Sequence, residues 1–434
     1  ANVKSRDEIL SLLFMMLALY YSFKYYQEKT TRNILLACTT FLIALLSKEY
    51  GVTLIVIIPV GMYVYYKNLK YAEIRTLLVG LVVTFLLYYA VRSSATVGLG
   101  ETTKQDAELL NNPFLFATPV EAWATKIFIN LKYFGLMLFP HPLSCDYSFN
   151  VIPFRTFTDP EVLFTIVLFA ASAYGTLLAY RKRSWLVFPS LFIFMHLFLI
   201  NNFFFNIGAT MGERLVYHSS LGMCILVVSG LYYLLCEKMK LSAAVFTLLL
   251  LPILVAASIK TIARNPAWKN NIILYTTDVN TYPNSTMLNG NACISYFDMS
   301  NMPIYKSREK GLLDSANAYG LKSLQLHPKY FYSHINLGLV KAKQGDMDSA
   351  AYHWLKAKEL SPYEKQIPGL LDNAAAHFYN KGMAAFNANN FTEALVHFKK
   401  ANSIIPKDHR PLYFIGMVYS RTGDMAKARQ VWTE

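Results

Sequence analysis

The sequence predicts an all-α protein in two parts, a multi-span transmembrane helical bundle followed by an α-solenoid. Three observations support this fold class. The 434 residues are 54% hydrophobic and only 16% charged, whereas a soluble domain usually carries about 25% charge. Apolar runs long enough to cross a bilayer recur up to about residue 260. A helical repeat with a period of 34 residues follows them.

The spans come first along the chain, and about 20 apolar residues are enough to cross the hydrocarbon core. Eight segments qualify: 9–23, 34–47, 50–66, 76–92, 161–180, 185–204, 215–235 and 241–259. A further apolar stretch, 121–139, is interrupted by Lys126, Asn130 and Lys132. We expect an interfacial helix there.

The loops between the spans predict the orientation in the membrane. Loops 24–33, 67–75, 181–184 and 237–240 together hold eleven basic and three acidic residues, while the opposite loops are balanced. Short basic loops are typically cytoplasmic. If 121–139 does not cross, the extracytoplasmic parts are 1–8, 48–49, 93–160, 205–214 and everything after 260. The net charge of +14 is then a topology signal and not a nucleic-acid-binding surface, since no Lys/Arg run exceeds three residues.

The repeats follow. Segments 331–362, 375–406 and 409–432 align on three glycines, and each glycine is followed at fixed offsets by a small residue and an aromatic. The aligned positions are Gly338/Gly382/Gly416, Ala350/Ala394/Ala428, Trp354/Phe398/Trp432, Ala357/Ala401 and Pro362/Pro406. This is the tetratricopeptide pattern, in which small residues let paired helices approach and aromatics fill the gap. Such a solenoid commonly holds an extended partner segment on its concave face.

The predicted domain boundaries follow from these patterns. We expect a membrane domain over 1–260 with an outer loop at 93–160, and a junction with a degenerate repeat over 261–330. Repeats then fill 331–434, and the last one is incomplete. The first repeat carries an insertion of ten residues around Tyr363–Asp372, and the degenerate repeat ends at Pro328.

Four polar clusters lie on the predicted outer side: Arg6-Asp7-Glu8, Lys48-Glu49, Cys145-Asp146-Tyr147, and Glu213-Arg214 with Tyr217 and His218. Ionisable groups at membrane depth are costly and are functional candidates by default. Plainer interpretations exist for single clusters, such as a self-paired turn at Lys48-Glu49, a turn residue at Asp146 or an ion pair orienting the helix end at Glu213-Arg214. A pore, a proton path and a lipid-linked substrate site are all compatible with this chemistry. We interpret His196, inside a span, as a hydrogen-bonded packing residue.

An ordered set of segments carries a family resemblance: NVKSRDEILSLLF, SKEYGVTL, FGLMLFPHPLSCDYSF, MGERLVYHSSLGMCILV and ARNPAWKNNIILY. It resembles the transmembrane and tetratricopeptide-repeat O-mannosyltransferases and their bacterial relatives, within the GT-C glycosyltransferase superfamily. Arg6 and Glu8 match the family's Gly-Arg-Ala-(Asp/Glu)-Leu-Leu, while Ser5 and Asp7 depart from it. Every fixed position of Glu-Arg-(two apolar)-Tyr-x-x-Ser-(apolar)-Gly matches Glu213–Gly222.

The resemblance implies an inverting transfer of a sugar from a polyprenyl-phosphate donor to a protein hydroxyl outside the cytoplasm. It also implies a carboxylate base in the first outer loop, which we expect upstream of Ala1, so that this fragment alone is inactive. Three spans before Ala1 would make eleven in total.

The expected roles of the polar clusters follow. We assign the donor phosphate to Arg6, Lys48 and Arg214, because Lys and Arg suit phosphate oxygens. The cavity or acceptor would be organised by Glu8, Glu49, Asp146 and Glu213, with Tyr217 and His218 as second-rank candidates. The repeats would bind the acceptor protein. No ligand spacing supports a metal.

The alternative is a non-enzymatic, membrane-anchored repeat scaffold for envelope protein assembly, with a transporter as a third option. We favour a bacterial inner membrane over an endoplasmic reticulum membrane.

Overall fold

The computed structural model describes residues 5–96, 112–204 and 206–433. Residues 1–4 and 97–111 of the predicted outer segments lie outside these ranges. The described chain contains helices and no strands, so the predicted all-α class is confirmed. It divides into two compact units, one ending at Leu274 and the other beginning at Tyr275.

The first unit contains nine α-helices within the described residues. They are α1 (Arg6–Glu28), α2 (Thr31–Ser47), α3 (Leu54–Tyr65), α4 (Tyr71–Thr96), α5 (Pro119–Leu138), α6 (Pro160–Arg181), α7 (Val187–Ile200), α8 (Tyr217–Tyr232) and α9 (Ala243–Arg264). Short 3-10 turns at Glu49–Thr53 and Glu213–Val216 lead into α3 and α8. Both turns belong to predicted polar clusters.

All eight predicted spans correspond to apolar helices. In the described chain, five are long and apolar enough to cross a membrane: Arg6–Glu28, Tyr71–Ala95, Pro160–Arg181, Glu213–Lys238 and Ala243–Trp268. The other three are the shorter apolar helices Thr31–Ser47, Glu49–Tyr65 and Val187–Ile200. Helix α5, the expected interfacial helix, meets neither description. Its position at the membrane surface stays a prediction.

The core of this unit lies between α1, α2, α3, α4 and α7. Its fully buried side chains include Met15, Phe41, Ile57, Ile74 and Phe192. By contrast, α6 and α9 expose most of their Leu, Val and Ile side chains, as helices facing lipid do. Two of these core helices, α1 and α2, carry the first two predicted polar clusters at their ends.

Helix α5 begins with a capping box, and one of its polar breaks, Asn130, is hydrogen-bonded within the helix. The Thr118 hydroxyl accepts a hydrogen bond from the Glu121 N–H, and the Glu121 carboxylate accepts one from the Thr118 N–H, which is a capping box. The buried Asn130 amide donates to the Lys126 carbonyl at 2.8 Å. Tyr133 on the same helix is fully buried.

The second unit consists of paired helices. After α10 (Asn271–Thr281) come α11 (Thr286–Asn301), α12 (Glu309–Leu326), α13 (Phe331–Lys343), α14 (Met347–Leu360), α15 (Ile367–Asn387), α16 (Phe391–Ile404), α17 (His409–Arg421) and α18 (Met425–Thr433). The predicted degenerate repeat is the α11–α12 pair, which ends just before Pro328. Part of the insertion after the first full repeat extends the start of α15.

The turn inside each full repeat is built in the same way. A residue in the left-handed conformation ends the first helix, at Gly345, Asn389 and Gly423 with φ of 86°, 58° and 88°. The next residue caps the second helix, its side chain accepting a backbone N–H three residues further on, at Asp346, Asn390 and Asp424. The repeat register read from the sequence therefore has a local structural cause.

A histidine pair lies inside the first full repeat. The two Nδ1 atoms of His334 and His353 lie 3.0 Å apart, and His334 Nε2 lies 3.0 Å from the Pro328 carbonyl. That carbonyl can only accept, so His334 Nε2 carries a proton. With both rings neutral, as their lowered pKa values favour, His334 Nδ1 accepts the N–H of His353 Nδ1. Burial lowers the pKa of His334, and burial together with His334 lowers the pKa of His353 to about 4.

We expect acid to destabilise this repeat. A histidine in the unfolded chain has a pKa of about 6.5, whereas that of His353 in the folded repeat is about 4. At pH values between these two, the unfolded chain binds more protons than the folded one. The free energy of unfolding therefore falls as pH drops through this window, by roughly 1–2 kcal/mol after allowance for partial exposure. Urea titrations at pH 7.5 and 5.0 measure the difference. His353→Leu should reduce this difference between the two pH values, whereas the control variant His409→Gln, at an exposed histidine, should not. Equal pH dependence in both variants would contradict the assignment of the effect to the His334–His353 pair.

Candidate functional site

The polar clusters at the start of α1 and at the end of α2 meet in space. Lys48 Nζ lies 2.8 Å from the Asp7 carboxylate and 3.3 Å from the Glu8 carboxylate. Asp7 is 37% exposed at its side chain, whereas Glu8 is 2% exposed. Lys48 thus bridges one carboxylate near the surface and one inside the bundle.

Glu8 has a second partner on α8. Its other oxygen lies 3.3 Å from His218 Nδ1, and the His218 side chain is fully buried. The cluster therefore contains two carboxylates, one ammonium group and one imidazole in a low-dielectric setting. Because uncompensated buried charge is costly, the buried Glu8 carboxylate depends on these neighbouring basic groups.

Aromatic rings fix the position of the His218 imidazole. His196 stacks on it with centroids 5.2 Å apart, and Tyr50 meets it edge-on at 4.9 Å. His196 itself is held by the Phe192 carbonyl, 2.7 Å from Nδ1, and by the Thr53 hydroxyl, 3.2 Å from Nε2. The interpretation of His196 as a hydrogen-bonded packing residue is confirmed, and the residue it packs against is His218.

The plainer interpretation of Lys48-Glu49 as a self-paired turn is wrong. Lys48 turns inward to Asp7 and Glu8, while the exposed Glu49 pairs with Arg92 of α4 at 2.5 Å. The physical reason is the 3-10 turn that starts at Glu49, which directs neighbouring side chains to different sides of the chain.

Glu213 binds the loop that contains Asp146. Its carboxylate accepts the Ser144 backbone N–H at 2.5 Å and the Tyr147 hydroxyl at 2.8 Å. Asp146 is buried and accepts both the N–H and the hydroxyl of Ser148, at 3.1 and 2.8 Å. These two contacts with Ser148 are those of a turn residue, as the plainer interpretation of Asp146 has it. Glu213 joins this loop to the start of α8.

Arg6, Arg214 and Tyr217 complete the set of predicted residues, and all three are exposed. Arg6 precedes Asp7, Arg214 lies in the turn Glu213–Val216, and Tyr217 follows that turn directly before His218. Neither arginine forms an ion pair with the described residues. Among these same residues, no three His, Cys, Asp or Glu side chains come together as a metal site would require.

The structure adds Tyr50, Thr53, His196 and Ser219 to this site. Together with Asp7, Glu8, Lys48 and His218 they form a polar cluster at the start of α1, the end of α2, the turn Glu49–Thr53, α7 and the start of α8, with Ser219 as the buried neighbour of His218 in the chain. Single polar residues in apolar helices gave no sequence signal for this grouping. The one available clue to this grouping was that most of these residues lie at or near the ends of predicted spans.

Comparison with known proteins bears on what this cluster does. No family model matches the chain. Protein O-mannosyl-transferase TMTC3 of Homo sapiens is 25% identical over 410 residues, which cover 85% of this chain and 41% of that protein. TMTC3 of Mus musculus is 26% identical over 261 residues, covering 59% of this chain and 25% of that protein.

The chain is similar to protein O-mannosyl-transferases. The resemblance read from the sequence is thereby confirmed, while the expected bacterial origin stays a prediction. Tmtc3 of Drosophila melanogaster, 25% identical over 274 residues, covers 60% of this chain and 27% of that protein. The chain thus spans between a quarter and about two fifths of the length of these relatives.

Solved structures similar to the chain include a TPR protein and the MamA protein. TTC0263, a thermophilic TPR protein of Thermus thermophilus, is 21% identical and covers 46% of this chain and 92% of its own, with a TM-score of 0.22. The MamA protein is 18% identical and covers 37% of this chain and 77% of its own, also with a TM-score of 0.22.

Proposed function

We propose that the full-length protein is a membrane glycosyltransferase of the GT-C type. It would move a sugar from a polyprenyl-phosphate donor to a protein hydroxyl on the extracytoplasmic side. The observation that carries this proposal is the similarity to protein O-mannosyl-transferases over up to 85% of the chain. The alternative, a membrane-anchored scaffold, has no comparable support.

The polar cluster at the ends of α1, α2 and α8 is the proposed donor end of the site. Arg6 and Arg214 are exposed and have no carboxylate partner in the described chain, so both can meet a phosphate at little cost. Lys48 can do so only by loosening its contacts with Asp7 and Glu8. Arg6 and Arg214 would therefore make the first contacts with the donor phosphate. Lys48 would contact it only when its own contacts with Asp7 and Glu8 loosen.

The acidic residues would act around these cations. Glu213 fixes the loop that contains Asp146, and Glu49 holds Arg92, so these carboxylates would shape the cavity in which the acceptor is placed. Tyr217, 40% exposed next to His218, would line it. The repeats would bind the acceptor protein. The expected base belongs to the family's first outer loop, and no described residue is assigned to that role.

Arg214→Ala in the full-length protein tests the proposal. A charge-assisted hydrogen bond to phosphate contributes roughly 1.5–3 kcal/mol, so we expect kcat/KM for sugar transfer to fall by about 10- to 100-fold. Arg32→Ala, an exposed arginine in a predicted cytoplasmic loop, is the matched control and should leave transfer unchanged. Wild-type turnover in Arg214→Ala would remove this residue from the donor site. A full-length protein that transfers no sugar would refute the function itself.

A further inference from the structure

Glu8 lies between two basic groups that compete for its charge. Lys48 approaches one carboxylate oxygen and His218 the other, both at 3.3 Å. The more of the carboxylate charge His218 compensates, the less remains to hold Lys48. Removal of His218 would leave Glu8 with Lys48 as its sole basic partner among the described residues.

We propose that His218 is a positioning residue that sets how strongly Glu8 holds Lys48, and so how available Lys48 is to an anionic donor headgroup. This inference rests on the proposed phosphate role of Lys48. His218 is too deeply buried to touch the donor, and its effect passes through Glu8.

The contact of Lys48 with Glu8 is less screened by water than its contact with Asp7. The Asp7 side chain is 37% exposed and that of Glu8 is 2% exposed, and water screens an ion pair more strongly at the surface than inside. Although Asp7 is the nearer partner at 2.8 Å, its attraction is therefore attenuated. The Glu8 carboxylate therefore adds to the cost of moving the Lys48 ammonium towards a ligand, alongside the hydrogen bond that Lys48 donates to Asp7.

The surroundings of His218 restrict it to this role. Its ring lies against His196 on one side and Tyr50 on another. Within the described chain, neither ring nitrogen of His218, neither carboxylate oxygen of Glu8 nor the buried Ser219 hydroxyl has a hydrogen-bond partner, so the 3.3 Å approach of Glu8 to His218 Nδ1 is a close contact without hydrogen-bond geometry. The one polar side chain that His218 contacts closely is Glu8, and the fixed ring keeps that contact in place.

The test measures binding of farnesyl phosphate to the purified chain in detergent micelles, by titration calorimetry. His218→Leu should weaken binding about tenfold, the size expected for losing one charge-assisted contact, because Glu8 then holds Lys48 more tightly. Adding Glu8→Gln to His218→Leu should restore binding to within about threefold of wild type, since the competing charge is gone. In the Lys48→Ala background, His218→Leu should have no further effect.

The outcomes separate this inference from the proposed function. If Glu8→Gln fails to rescue His218→Leu, or if His218→Leu weakens binding equally with and without Lys48, His218 is merely structural and the inference is wrong. If Lys48→Ala alone binds normally, the inference falls too, while weaker binding by Arg214→Ala would still support the donor site. Should His218→Leu fail to fold, His218→Asn, whose amide can stand where Nδ1 does, replaces it. It should weaken binding less than tenfold, and Glu8→Gln should again reverse its effect.

Discussion

Gly222→Ala should unfold or separate the α7–α8 pair. A Cβ atom at Gly222 would lie 2.5 Å from the Pro189 backbone carbonyl oxygen and 2.9 Å from Ile193 Cγ1. Backbone atoms of a packed helix cannot move aside as a flexible side chain can, so the helices must part. We expect a loss of about 3–5 kcal/mol, at or above the upper end of ordinary overpacking.

The same helix provides the matched control for this substitution. A Cβ added at Gly230 meets no atom within 4 Å, so Gly230→Ala should be neutral or slightly stabilising through helix propensity. Thermal unfolding in detergent compares the two variants directly. Equal unfolding temperatures for both variants would show that α7 and α8 do not approach each other as closely as described.

Gly222→Ala should also disturb the candidate site. His196 on α7 and His218 on α8 stack on each other, and Gly222 lies one turn beyond His218 on the same helix. The close approach that Gly222 allows is therefore the same approach that brings the two imidazoles together. Parting the helices would remove the stacking that holds His218 against Glu8.

Much of the fold follows from the sequence because its signals are local. Apolar length alone predicts the spans, since every buried or lipid-facing helix must satisfy its own backbone. The repeats were predictable because Gly338 and its equivalents recur in fixed register with the aromatics they contact. Helix ends were less predictable: α1 begins at Arg6 and runs to Glu28, so it includes polar residues outside the predicted span 9–23.

Some of the residues that meet in the polar cluster could be singled out from the sequence, whereas their pairings and their buried neighbours Tyr50 and Thr53 could not. Arg6, Glu8, Lys48 and His218 were singled out because charge near an apolar span is unusual. Their partners depend on which helix ends meet, and sequence periodicity contains no information about that. The self-paired Lys48-Glu49 turn failed for this reason.

Gly338→Ala should destabilise the first full repeat by about 3 kcal/mol. The Cβ atom added at position 338 would overlap the indole ring of Trp354. This ring is 2% exposed and donates its Nε1–H to the Ile335 carbonyl at 3.2 Å. The ring would have to leave its site, losing the hydrogen bond and part of its burial. Trp432 repeats this arrangement two repeats later, donating to the Tyr413 carbonyl at 3.1 Å, so the contact is a property of the repeat.

Gly311→Ala and Gly369→Ala are the matched controls within the same unit, because a Cβ at either position meets nothing within 4 Å. Both should be neutral or slightly stabilising, while Gly338→Ala lowers the urea midpoint of the unit. Gly382→Ala, facing Phe398 at 2.7 Å, should lose a similar burial but no hydrogen bond, and its effect should be smaller. A larger effect at Gly382 than at Gly338 would contradict the contribution assigned to the Trp354 hydrogen bond. In a solenoid each repeat is stabilised by its neighbours, so either substitution should also loosen the adjoining helix pair.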